Sequence, residues 1–206
     1  MKIKGLYAII DNSIRSDLSN IEIARRVLAG GARIIQFRGK GLSSRELLEQ
    51  AREIRELTRK AGATFIVNDR TDIAILADAD GVHLGQDDLP IDEARKILGK
   101  DKLIGISTHS LEQAVKAQSE GADYIGFGPV FGTTTKADAE EAKGSEALKE
   151  VKKGVSIPVI AIGGMNLENL KEVIDAGADG VAVISAVVKA KNIEEATKGF
   201  IEVFKG

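Results

Sequence analysis

No cysteine occurs anywhere in the 206 residues. Disulfide cross-links, thiolate zinc sites and cysteine nucleophiles are therefore excluded. Histidine is scarce: His83 and His109 are the only two, too few for a histidine-rich metal centre. Neither sign of charge dominates, with 29 basic residues against 31 acidic ones and a net charge of −2. A general nucleic-acid or polyanion surface needs a basic excess that is missing here, although a local basic pocket is compatible with this balance. Long apolar runs are missing too. Stretches such as VAVISAVV at Val181–Val188 fall far short of a bilayer span. The N-terminal MKIKGLYAII has no long apolar segment followed by a cleavage site. The expectation is a cytoplasmic protein that engages neither membrane nor nucleic acid.

What is present is a regular alternation. Hydrophobic residues make up 43% and charged residues 29%, a balance that supports one globular domain over 1–206 with a sizeable core. Eight short runs read as strands: 5–10, 32–37, 64–67, 81–84, 102–107, 123–127, 158–162 and 179–184. They are apolar on both faces, as buried parallel strands are. Amphipathic stretches lie between them, beginning near Ile21, Arg45, Thr71, Ile91, Leu111, Glu146, Leu167 and Ile193. Capping boxes are expected at Ser19 with Glu22, Ser43 with Glu46, Ser110 with Gln113 and, more loosely, Asn192 with Glu195. Strand entries repeat as GGAR (30–33), EGAD (120–123) and AGAD (176–179), with KAGAT (60–64) a looser copy. A βα unit of about 26 residues, eight times over, predicts an α/β fold of the (β/α)8 TIM-barrel type. A doubly wound open sheet is the alternative, but no GxGxxG follows the first strand.

In such a barrel the active face lies at the strand C-terminal ends. Asp11 and Asn12 follow strand 1 and read mainly as turn residues. Strand 2 ends in Gln36-Phe37-Arg38-Gly39-Lys40. Alternation sends Gln36, Arg38 and Lys40 to one side, where two cations are costly unless they meet an anion. Asn68-Asp69-Arg70 ends strand 3, and Gly85-Gln86-Asp87-Asp88 follows strand 4. Neighbouring carboxylates there can converge on Mg2+ completed by phosphate and water. The blander readings are Asp88 as a helix cap and Asp69 paired with Arg70 or a neighbouring cation. Ser107 ends strand 5 as a hydroxyl donor. His83 and His109 read as hydrogen-bonded structural histidines rather than catalytic ones.

The longest polar loop follows strand 6 as GFGPVFGTTTK, Gly126 to Lys136. Its glycines allow close approach to a ligand. The hydroxyls of Thr133, Thr134 and Thr135 with the Lys136 ammonium suit phosphate oxygens. The order of a Walker loop is absent. The following stretch 137–143 reads as a lid or as a plain solvated loop. Strand 7 ends in Ile162-Gly163-Gly164, with Asn166 placed to cap the next helix, and strand 8 in Ile184-Ser185-Ala186. These are habitual phosphate positions in barrels of this type.

QFRGK, NDR, DGVHLGQDD, the serine of ISTH, DYIGFGPVFGTTTK, IPVIAIGG and GADGVAVIS together resemble the thiamine-phosphate synthase family over nearly the whole chain. The resemblance implies a transferase joining a pyrimidine diphosphate to a thiazole phosphate with Mg2+. It assigns Gln36, Arg38, Lys40 and Asn68 to the pyrimidine diphosphate, and Asp69 and Asp88 to Mg2+. Ser107 and Lys136 would meet the pyrimidine and diphosphate. Thr133, Thr134, Thr135, Gly164, Ile184 and Ser185 would hold the thiazole phosphate. Arg38, Lys40, Ser107 and Lys136 would be catalytic. Gly132 stands where the family more often has proline, and strand 1 ends IID rather than the commoner VTD. The alternatives are a thiazole tautomerase-like relative, which would carry histidine at Pro129 and lack the diphosphate-binding cations, and a non-catalytic phosphorylated-metabolite-binding protein. Assembly is open between a monomer and a homodimer.

Overall fold

The computed structural model describes residues 3–133 and 141–204. Within them run β1 (Gly5–Ile10), α1 (Asn20–Ala29), β2 (Ile34–Phe37), α2 (Ser44–Ala61), β3 (Thr64–Asn68), α3 (Thr71–Leu76), β4 (Gly81–Leu84) and α4 (Ile91–Leu98). There follow β5 (Leu103–Thr108), α5 (Leu111–Ser119), β6 (Tyr124–Phe127), α6 (Gly144–Gly154), β7 (Val159–Ile162), α7 (Leu170–Asp175), β8 (Gly180–Val183), α8 (Ser185–Val188) and α9 (Ile193–Val203). The strands pair in parallel in chain order, and β1 pairs with both β2 and β8. The sheet is a closed (β/α)8 barrel, so the open doubly wound alternative is excluded. Closure leaves no edge strand to protect.

The helices lie outside the barrel, each turning one stripe inward. In α2 the buried residues are Leu47, Ala51, Ile54 and Thr58, one stripe of a 3.6-residue helix. Ser43 and Glu46 close both arms of the expected capping box, worth ~1 kcal/mol. Gly62 then ends the helix in the left-handed conformation at φ 62°. The other expected boxes close one arm only. Ser19, Ser110 and Asn192 accept from the amides of Glu22, Gln113 and Glu195. The Glu22 carboxylate goes to Arg25 and Arg26 instead, and Gln113 accepts from the His109 amide.

Two elements differ from the sequence expectation. The helix expected from Leu167 starts at Leu170, because Asn166 and Asn169 close a turn of their own. Asn166 Oδ1 accepts from the Glu168 and Asn169 amides, while Asn169 Oδ1 accepts from the Asn166 amide. The short α8 inserted after β8 has too few residues for a readable period.

The repeated strand entries gain a physical meaning at the N-terminal rim. Before β6, the Asp123 carboxylate accepts from the Ile104 amide of β5 at 2.7 Å and from Arg95 of α4 at 2.6 Å. Before β8, Asp179 accepts from the Val159 amide of β7 at 2.8 Å and from Lys152 of α6 at 2.6 Å. Asp80, before β4, does the same with the Phe65 amide of β3 at 2.7 Å and with Arg55 of α2 at 2.8 and 3.0 Å. Each clasp ties a helix, the strand after it and the entry of the next strand. At the entry of β2, Arg33 stands where the others have aspartate.

Candidate active site

A pocket of about 520 Å³ opens at the strand C-terminal ends, within the range of small-molecule sites. Every described member of the expected site lines it: Gln36, Arg38, Lys40, Asn68, Asp69, Asp88, Ser107, Thr133, Gly164, Ile184 and Ser185. Thr134, Thr135 and Lys136 lie outside the described residues, as do residues 137–140 of the expected lid. The described end of that stretch is anchored, with the Lys143 amide donating to the Pro129 carbonyl at 2.8 Å and the Gly144 amide to Val130 at 3.0 Å.

On one side stand the cations. The Arg38 amide donates to the Ile10 carbonyl at 2.9 Å, carrying the β1–β2 ladder one residue beyond Phe37. This keeps the alternation that sends Gln36, Arg38 and Lys40 into the pocket. The Arg38 guanidinium is bonded to the carboxylate of Asp11. That carboxylate, 1% exposed, also accepts from the Ser13 amide at 3.0 Å and its hydroxyl at 2.6 Å. The guanidinium is thereby held in one place rather than sweeping through solvent. Asp11 reads as a turn residue in the sequence. Register supplies the missing signal: Ile10 is opposite Phe37, so Asp11 and Arg38 are cross-strand neighbours.

Facing them are the acids. Asp69 occupies the left-handed region at φ 61°, uncommon for a residue other than glycine and frequent at functional sites. Its amide donates to the His83 carbonyl at 2.8 Å, and its carboxyl lies 3.9 Å from Lys40 Nζ. Burial, then the charge of Asp88 and a hydrogen bond between the two carboxyls, push Asp69 up to about 6, against the pull of Lys40 and Arg38. Asp88 does not cap the next helix, and Asp69 pairs with a neighbouring cation, Lys40, rather than with Arg70. Asp88 accepts from the Gly85 amide at 2.7 Å, while α4 is capped at Pro90 without any side-chain bond. Arg70 turns away to Asp72 and Ser44. Two neighbouring carboxyls are a donor set suited to a hard divalent cation. Among the described residues no group of three or more acidic or histidine side chains encloses a metal, so the remaining ligands of such a cation fall to phosphate and water.

The opposite wall is mostly backbone. Gly163 and Gly164 have φ of 96° and 64°. The β6 loop is stitched along the β7 end, Val130 N–H to the Ile162 carbonyl at 2.8 Å and Phe131 N–H to Gly163 at 3.2 Å. A Cβ on Gly164 would sit 2.6 Å from the Gly132 carbonyl oxygen, so only glycine lets the loop approach so closely. Ile184 and Ser185 form the junction of β8 and α8.

The floor holds a chain of hydrogen bonds absent from the sequence reading. Gln36 Nε2 donates to the Tyr7 hydroxyl at 2.9 Å, and Tyr7 meets the Tyr124 hydroxyl at 2.8 Å. Tyr124 meets His83 Nδ1 at 3.2 Å, and His83 Nε2 meets Ser107 Oγ at 3.0 Å. Burial raises both phenols above the ordinary tyrosine range, so they stay protonated. Both histidines are hydrogen-bonded, His109 through Nδ1 to the Gly128 carbonyl at 2.6 Å.

Paired carboxylates facing two cations line the C-terminal mouth of a closed parallel barrel, the architecture of a (β/α)8-barrel enzyme. The profile of thiamine monophosphate synthases matches residues 6–187. The thiamine-phosphate synthase of Moorella thermoacetica is 49% identical over 198 residues, 96% of this chain and 94% of that one. That of Methanoculleus marisnigri is 51% identical over 193 residues, 94% and 92% of the two chains. The solved thiamine phosphate pyrophosphorylase from Pyrococcus furiosus superposes with a TM-score of 0.90 at 43% identity, over 98% of this chain and 97% of that one. The chain belongs to the thiamine monophosphate synthase family. It is a transferase of thiamine biosynthesis that moves a pyrimidinylmethyl group, and the tautomerase-like and binding-only alternatives give way to that reading.

Proposed function

We propose that the pocket binds 4-amino-2-methyl-5-(diphosphooxymethyl)pyrimidine along β2–β5 and a thiazole phosphate along β6–β8, and joins them in a Mg2+-dependent reaction. The observation that carries this division is the meeting of Arg38 and Lys40 with Asp69 and Asp88. A diphosphate would satisfy the two cations, and a divalent cation held by Asp69 and Asp88 would satisfy the acids.

Gln36, Asn68 and Ser107 orient the pyrimidine. Arg38, fixed by Asp11, joins Lys40 and Lys136 around the diphosphate. The C–O bond of the pyrimidinylmethyl group breaks first, and pyrophosphate leaves with the electron pair. Those three cations hold the charge that grows on the departing oxygens, where fixed donors act most strongly. The thiazole nitrogen then donates its lone pair to the pyrimidinylmethyl carbon, forming the C–N bond. No protein nucleophile is required, in keeping with the lack of cysteine. Asp69 and Asp88 would hold Mg2+, which would supply neutralising charge to the leaving group. Thr133, Thr134, Thr135, Gly164, Ile184 and Ser185 hold the thiazole phosphate by hydroxyls and amides. The remainder of the rate comes from aligning two bound substrates.

The purified protein with both substrates and Mg2+ should form pyrophosphate and thiamine phosphate in equal amounts, and a chelator should stop both. Failure of pyrophosphate to appear with both substrates and Mg2+ present rejects the reading.

A further inference from the structure

We infer that the floor of the pocket is a single directional chain of hydrogen bonds, in which Tyr7, Tyr124 and His83 are positioning residues that hold Gln36 as an acceptor and Ser107 as a donor towards the ligand. This deepens the pyrimidine assignment above and rests on it.

The direction follows from counting protons. Each phenol owns one. The Gln36 amide nitrogen donates to Tyr7, so the Tyr7 proton goes to Tyr124, its other partner. The Tyr124 proton must then go to His83 Nδ1. A neutral His83 with a lone pair on Nδ1 carries its proton on Nε2, which it gives to Ser107 Oγ. The Ser107 proton is left for the pocket, and so is the Gln36 carbonyl oxygen. Reversing any one link alone sets two protons or two lone pairs against each other in a buried place, where an unmade bond is costly. The chain therefore turns as a unit or not at all. An aminopyrimidine fits this setting: its amino group donates to Gln36 and an adjacent ring nitrogen accepts from Ser107.

The strands make room for the chain. A Cβ on Gly105 would stand 2.1 Å from Tyr124 Cζ, and one on Gly126 would stand 3.2 Å from His83 Cε1. Glycine inside a strand weakens it. Here two such positions, on β5 and β6, accommodate the two rings in the middle of the chain.

With only two histidines, the direction can be read directly. His109 Nδ1 lies 2.6 Å from a backbone carbonyl, which can only accept, so His109 carries its proton on Nδ1. The two histidines should be opposite tautomers. Long-range 1H–15N spectra of the substrate-free, histidine-labelled protein at about pH 8, where an ordinary imidazole is neutral, test this, with His109→Gln to assign the signals. The expected result is Nε2–H for His83 and Nδ1–H for His109. A His83 protonated on Nδ1, or on both nitrogens, overturns the direction. Tyr124→Phe removes one link and should shift the His83 signals. It should also raise KM for the pyrimidine diphosphate about tenfold, the size of one lost hydrogen bond, with the thiazole phosphate KM unchanged. Tyr7→Phe breaks the chain at a second point with the same expectation. An unchanged pyrimidine KM in both variants overturns the positioning role. The tautomers are read without substrate, so that result stands whether or not the pyrimidine assignment holds.

Discussion

Asp69→Asn should make the metal-free protein more stable while removing its activity. The wild-type carboxyl is raised from the ordinary value of about 3.9 to about 6, mainly by burial and by Asp88. A raised acid favours the folded state below the unfolded value, and that advantage is lost as the pH climbs through about 6. At pH 7.5 the folded wild type therefore carries the full cost of two facing carboxylates. Two pH units correspond to nearly 3 kcal/mol at about 1.36 kcal/mol each. The Asp69 side chain is 29% exposed, and solvent screening reduces that figure to roughly 1–2 kcal/mol. Asparagine removes the charge and tolerates the left-handed backbone as well as aspartate does. For a chain of this size the gain corresponds to roughly 3–6 °C in Tm. The assay is urea or thermal unfolding of both proteins in chelator at pH 4 and pH 7.5. The difference between them should be small at pH 4 and open at pH 7.5. Added Mg2+ should stabilise the wild type and leave the variant unmoved. A variant no more stable than wild type at pH 7.5 in chelator would refute the reasoning.

Lys136→Ala should lower kcat by roughly 10²–10³, as loss of one fixed donor to a developing charge does, with a smaller change in KM. An unchanged single-turnover rate would remove Lys136 from the leaving-group role. Gly164→Val forces a side chain into a left-handed position and against the Gly132 carbonyl, so it should raise KM for the thiazole phosphate more than for the pyrimidine diphosphate. Separate titration of each substrate checks this, and an effect confined to the pyrimidine diphosphate would mean that the two halves of the pocket are assigned in reverse.

The barrel was legible because buried parallel strands are continuous apolar runs, and the chain repeats them eight times with little interruption. The rim residues of β2, β3 and β4 were legible for a related reason: Arg38, Lys40, Asp69 and Asp88 are charges placed where apolar runs end. Pairings between elements were not. Asp11 looks like any turn aspartate until the β1–β2 register sets it beside Arg38. Tyr7, His83 and Tyr124 are scattered along 117 residues and meet only because alternate positions of a closed barrel point inward. The trace they leave is indirect, in the strand-interior glycines Gly105 and Gly126. The late start of α7 shows the limit of capping patterns, since Asn166 caps a turn rather than a helix. Asp80 is hard to read as a third aspartate-ended strand entry because ADAD lacks the glycine of its counterparts.

That motif has a consequence beyond stability. The sequence repeats with the βα unit, yet the aspartate clasps come at every second strand, before β4, β6 and β8. Three of the four strand pairs, β3–β4, β5–β6 and β7–β8, are thus each fastened on their own at the end away from the pocket. A residue exchanged at the mouth of one pair leaves its fastening untouched, and the fastenings of the other pairs as well. Shape and chemistry are therefore governed by different residues at opposite ends of the same strands. Substitutions that retune what the pocket accepts can accumulate without renegotiating the architecture that presents it.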